Sequence, residues 1–206
     1  MEPPEGERSK EGDGTGEKEQ LLHALRLQGK VPASSDLSEE RDRLVAEGFA
    51  VLRRDVLVLT PAGRAEADAR FCLVGRPGHE HVQAAYDRFG PLNRKLLAIC
   101  TDWQVRPGGV PNDHRDSVYD WGVIDRLVTL DEQVGPVVRT LGKRVDRFVR
   151  YRERLREARR RVADGDSDWL LSPRIDSYHT VWMQLHEDLL LGLGIQRSDE
   201  SVDGEG

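Results

Sequence analysis

EGFAVLRRDVLVLTPAGRA, residues 47–65, decides how the first third of the chain folds. Phe49–Arg53 and Val56–Leu59 are short β-prone runs around Arg53-Arg54-Asp55, which predicts a small hairpin. Thr60-Pro61 then supplies an N-cap and a proline at the first helical position, so a helix runs on to about Phe71. Upstream, Leu21, Leu22, Leu25 and Leu27 lie in a helical stretch that Gly29 ends. In between, Ser35 or Asp36 can cap a short helix, with Glu39 at the capping-box position relative to Asp36. Leu37, Leu44 and Val45 give that helix a modest apolar face, and Gly48 stops it.

Beyond a linker at 72–78, residues 79–196 read as all-helical. His79–Phe89 is one helix. Pro91 opens a second, ending at Trp103-Gln104. The Gly- and Pro-rich loop VRPGGVPNDHRD follows. Ser117 to about Val134 is a third helix, with Trp121 and Ile124 on its apolar face. Pro136 opens a fourth, whose Val138, Leu141, Val145, Phe148, Leu155 and Val162 alternate by threes and fours. Asp166–Leu171 is a short turn of helix, and Ser172-Pro173 caps a last long helix to about Leu193. Residues 1–18 and the acidic tail 197–206 have little to bury and read as disordered. The fold class expected is mainly α: a small module with a hairpin at 19–71, then a helical bundle.

Composition narrows the function. The chain has 206 residues and a formal net charge of −6, with 31 Lys and Arg against 37 Asp and Glu. That balance argues against a general nucleic-acid binder. Cys72 and Cys100 have no CxxC-type spacing, which excludes a zinc knuckle, an iron–sulfur site and a disulfide scaffold. No apolar run approaches the roughly 18–20 residues of a membrane span, and the N-terminus lacks a secretory h-region. A cytoplasmic protein without a membrane partner is the expectation.

Three groups of residues carry the candidate chemistry. On the last helix Asp176, His179, Met183 and His186 share one face. Tyr178 and Trp182 join them, with Trp103 and the loop residues Asn112, Asp113 and His114. Together these make a ligand pocket of aromatic walls and a few polar handles. Acid/base chemistry there would centre on His179, with His114, Asp113 and Asp176 as the other catalytic candidates. No reaction is demanded, and a structural hydrogen-bond network is the equal alternative. His179 and His186 stand seven residues apart, about 10.5 Å of rise, and the i,i+4 spacing of a helical zinc pair is missing. No metal or other cofactor is expected. The second group is the basic run Arg139–Arg161, with 11 basic residues against three acids. Its seam puts Arg152 and Arg159 inward, where each needs an acid or an anionic ligand. The third is Arg41, Arg43, Arg53 and Arg54, candidates for DNA phosphate contact, with solvated turn residues as the favoured plainer reading of Arg53 and Arg54.

Helix, short helix, hairpin, helix is the order of a small winged helix. Glu47–Ala65 resembles the wing of the MarR-like and PadR-like bacterial regulators, in which an L-T-P-A-G-R segment commonly follows the second wing strand. Leu21–Gly29 resembles the opening helix. Only 18 residues, Lys30–Glu47, separate that helix from the wing, so one of the two usual intervening helices is shortened or lost. LNRKLLAICTDWQ (92–104), NDHRD (112–116) and DSYHTVWMQLHEDLL (176–190) are similar to segments of an actinobacterial group of helical proteins. Those carry an N-terminal winged helix and are described as transcriptional regulators. The resemblance implies a regulator, monomeric or homodimeric, with a DNA-binding module coupled to a helical domain that senses a small molecule. The alternative is a decayed DNA reader whose helical domain binds or transforms a small molecule in a biosynthetic pathway.

Overall fold

A computed structural model describes residues 14–33 and 37–198. The expected Ser35 or Asp36 cap, residues 1–13 of the arm and residues 199–206 of the tail lie outside these. The chain divides into two units, one ending at Cys72 and one beginning at Leu73.

The first unit runs α1 (Gly14–Gln28), β1 (Lys30–Pro32), α2 (Ser38–Ala46), β2 (Ala50–Arg53), β3 (Val56–Leu59) and α3 (Pro61–Phe71). A single helix lies between β1 and the hairpin. Two features differ from expectation. Gly14–Lys18, assigned to the arm, are the start of α1, and Lys18 pairs with Glu47 at 2.9 Å. Lys30–Pro32 form a third strand, antiparallel to β3 with Val31 opposite Leu57, in the sheet order β1-β3-β2. The hairpin register sets Val51 opposite Val58. Leu21, Leu22, Leu25, Leu44, Leu57 and Ala67 are buried, the core that these elements share. Thr60 caps α3, its Oγ1 accepting from Gly63 N at 3.0 Å and donating to Gly48 O at 2.7 Å. Gly63 is where α3 meets the chain before β2: a Cβ there would lie 1.8 Å from Phe49 O.

The second unit is a helical bundle of α4 (His79–Gln104), α5 (Ser117–Gly142), α6 (Val149–Ala163), α7 (Asp168–Leu171) and α8 (Tyr178–Leu193). A two-residue strand pair, β4 (Val105–Arg106) and β5 (Val110–Pro111), joins α4 to α5. α4 packs on α5 and α8, and α6 on α5, α7 and α8. Trp182, Tyr151, Tyr178, Phe89 and Phe148 are the largest side chains wholly buried in this core. Leu73, assigned to the linker, packs on it, and its N–H donates to Gly192 O at 2.8 Å.

Neither Pro91 nor Pro136 opens a helix; both lie inside one. An interior proline costs about 3 kcal/mol. Continuous burial offsets that cost: Val82, Ala85, Phe89, Leu92, Leu96, Ile99 and Trp103 keep one unbroken three-four seam across Pro91. Val134, Val138 and Leu141 do the same across Pro136. The expected fourth helix instead breaks after Gly142, passes a 3-10 turn at Asp146–Phe148, and resumes as α6. A Cβ on Gly142 would press on Val149 Cα at 3.1 Å. The last helix starts at Tyr178, with Ser177 rather than Ser172-Pro173 as its cap. Asp176 therefore precedes α8.

Candidate functional site

The β4–β5 hairpin folds Asn112–His114 back onto the end of α4. Asn112 is buried, its N–H donating to Gln104 O at 2.8 Å. Its Nδ2 donates to Trp103 O at 3.1 Å and to Asp120 Oδ1 at 2.7 Å. Its Oδ1 accepts from His114 N at 3.3 Å, which holds His114 in a left-handed backbone at φ 56°. The His114 ring lies 4.5 Å from the Trp103 ring, and its Nδ1 sits 3.1 Å from Asp120 Oδ2. Asn112 Nδ2 also lies 3.3 Å from this Nδ1, and in a neutral ring a proton on Nδ1 shared with the carboxylate leaves a lone pair on Nε2. The pair edges a groove of about 280 Å³ whose other walls include Trp121, Ile124, Val162 and Ser167. Trp121 was expected inside the helical seam but is half exposed. This arrangement can hold a small ring against two indoles and present one imidazole to a polar group on it.

Of the expected pocket residues, the groove gathers Trp103 and His114, with Asn112 behind them. Asp120 takes the place expected for Asp113. The Asp113 carboxylate is exposed and accepts from Arg115 N at 3.2 Å. Asp120 was legible only as a first-turn acid of α5, six residues from His114. The residues expected on the last helix do not face this groove. Tyr178 and Trp182 are wholly buried core, with Trp182 Nε1 donating to Asn93 Oδ1 at 2.9 Å. Burial first, and then the Asp131 charge, push the Tyr178 phenol pKa well up. His186 packs between Phe89 and Tyr86, at 5.2 and 6.4 Å. Asp176 is held by Arg154 through two 2.9 Å bonds. His179 is half-buried, and burial lowers its pKa. These positions serve packing and ion pairing rather than one pocket with Trp103. Among the described residues, no group of three or more His, Cys, Asp and Glu is arranged to hold a metal.

Much of the basic run finds acids within the chain. Arg152 Nη1 donates to buried Asp131 at 2.8 Å, and Arg159 Nε lies 3.6 Å from the other Asp131 oxygen. For Arg152 and Arg159, the acid that inward arginines need is thus Asp131. Arg147 Nε and the Tyr151 hydroxyl donate to wholly buried Asp188, at 2.9 and 3.0 Å. Glycines make room for these side chains. A Cβ on Gly135 would meet Arg152 Cζ at 3.1 Å, and one on Gly192 would meet Arg147 Nη2 at 2.9 Å. On the outer face Glu157 pairs with Arg160 and Arg161, whose hydrogen bonds pull its carboxyl down to about 2.

In the first unit the four candidate arginines separate. On α2, Arg41 Nε is 2.9 Å from Asp42, and Arg43 is 3.6 Å from Glu39. Arg53 and Arg54 stand exposed at the hairpin turn, Arg54 at φ 56°. Neither makes an ion pair with a described residue.

No helix among the described residues is long and apolar enough to cross a membrane. Comparison with family models, curated proteins and solved structures finds no match to the chain.

Proposed function

We propose that the chain is a cytoplasmic, regulator-type protein whose helical unit binds a small aromatic ligand and whose first unit touches DNA phosphate through its wing. The observation that carries this reading is the groove at Trp103. It combines two indoles, an apolar floor and one oriented imidazole–carboxylate pair, the composition of a small-molecule site. Its volume suits a ligand of one or two rings. Exposed Arg53 and Arg54 support the DNA half, because a wing tip meets phosphate rather than base edges.

One observation favours a second reading. The arginines of α2 are tied to acids of the same helix and its Glu40 is buried, so α2 offers little positive charge to a major groove. In that reading the helical unit works on its ligand without DNA, and His114 Nε2 is the base.

Fluorescence anisotropy with duplex from the upstream region of the gene separates the two. Sub-micromolar binding that weakens steeply with salt is expected, with oligomeric state measured alongside. Arg53→Ala with Arg54→Ala should reduce the log–log salt slope by about 2, roughly one per phosphate contact. Binding no better than to random duplex at low salt would leave the second reading. A metabolite screen by thermal shift tests the groove, and Trp121→Ala should abolish any shift that a hit produces.

A further inference from the structure

Asp131 is the only described carboxylate within ion-pair distance of Arg152 and Arg159. A third guanidinium joins them. Arg139 Nη1 and Arg152 Cζ both lie within 3.4 Å of the point where a Gly135 Cβ would stand, so the two are close neighbours. Arg139 makes no ion pair with any described residue. Asp131 is already served by Arg152, by Arg159 and by the Tyr178 hydroxyl at 3.4 Å. Arg139 is therefore surplus to the needs of the fold.

Along the α5–α6 seam Arg152 thus has Arg139 beside it at Gly135 and shares Asp131 with Arg159, three positive charges for one carboxylate. Each guanidinium carries five N–H donors, yet the three make one hydrogen bond among the described residues, Arg152 to Asp131. The Arg159 Nε is buried and makes none. Adjacent like charges are unfavourable unless a counter-charge lies between them. A dianion of tetrahedral oxygens cancels the two surplus charges and engages planar forks that a single carboxylate cannot fill. The Arg152 and Arg159 side chains are only 22% and 29% exposed. Arg139 is exposed beside them, so two part-buried forks and one accessible one would meet the anion, an arrangement that suits a small molecule better than the backbone of a duplex.

We propose that Arg139, Arg152 and Arg159 form a binding site for the phosphoryl group of a small molecule. The site is separate from the Trp103 groove and does not rest on the function proposed above.

Isothermal titration and thermal shift on the full chain test it, using inorganic phosphate and pyrophosphate against sodium chloride at matched ionic strength. Pyrophosphate should bind and raise Tm beyond the chloride control. Arg139→Gln keeps both ion pairs of Asp131 and should weaken pyrophosphate about tenfold. Arg156→Gln removes an exposed arginine that pairs with Glu153, and should leave binding unchanged. Arg152→Lys keeps a charge beside Asp131 but loses the fork, and should weaken binding without unfolding the bundle. A pyrophosphate effect equal to that of chloride would overturn the proposal. So would equal losses in Arg139→Gln and Arg156→Gln, or an unchanged Arg139→Gln. If duplex DNA displaces pyrophosphate and Arg139→Gln weakens DNA to the same degree, the occupant is nucleic-acid phosphate and the small-molecule assignment fails.

Discussion

Replacing Gly63 with alanine sets helix propensity against packing. Alanine is the better helix former by about 1 kcal/mol, so propensity alone predicts a more stable α3. Tertiary geometry predicts the reverse. The added Cβ would lie 1.8 Å from Phe49 O, 2.7 Å from Phe49 C and 2.9 Å from Phe49 Cα, all backbone atoms with no rotamer to yield. Reaching ordinary C···O contact requires α3 to retreat by roughly 1.5 Å. That movement strains the Thr60 N–H bond to the same Phe49 carbonyl, and with it the Thr60 cap. The bond and the cap are worth about 1 kcal/mol each, and overpacking adds about 1–3 kcal/mol. Net of propensity, Gly63→Ala should cost about 2–4 kcal/mol. A unit this small has only several kcal/mol of stability. Hydrogen exchange read by mass spectrometry should show β2 and β3 losing protection by roughly thirtyfold or more. Core amides of α4, α5 and α8 should keep theirs, because that unit has its own core. Protection of β2 and β3 equal to or above that of the parent would refute the reasoning.

Three further outcomes are expected. Asp188→Ala removes the buried acceptor of Arg147 and Tyr151 and should cost about 3–5 kcal/mol in urea unfolding, with Asp188→Asn milder. Burial holds the His179 imidazole below its ordinary 6.5, so it stays neutral in the fold while the unfolded chain takes its proton first. Stability linked to it is intact above pH 6.5 and is lost as pH falls through the depressed folded value. His179→Gln should flatten that part of the Tm-versus-pH curve, and a curve parallel to the parent's would count against this. Burial pushes the Cys100 thiol up to about 12, so an alkylating reagent at pH 8 should label Cys72 in the folded protein and reach Cys100 only on unfolding. Mass mapping of the labelled peptides decides it.

Much of the candidate site was hidden for a specific reason. Trp103, Asn112 and His114 were legible as aromatic and polar residues flanking a Gly/Pro loop, but their acid partner was not. Asp113 is adjacent in sequence, whereas Asp120 reaches the ring only because the hairpin returns onto the first turn of α5. On α8 the shared face of His179, Met183 and His186 is genuine helical geometry. Which side of that helix the core covers cannot be read from spacing. β1 escaped because a three-residue strand has too few positions to show alternation.

Sequence alone determined the elements whose signals are local. The Thr60-Pro61 start, the Gly29 stop and the two hairpin strands depend on dihedral preference, capping and short-range pairing, which neighbouring residues supply. Tertiary structure decided where helices continue and which charges meet. Pro91 and Pro136 carry a local stop signal that continuous burial on both sides outweighs. Arg152, Arg159 and Arg147 carry charge that needed partners, and Asp131 and Asp188 met them only after α5, α6 and α8 had packed. Burial and long-range ion pairing are properties of the assembled core, and no window of sequence contains them.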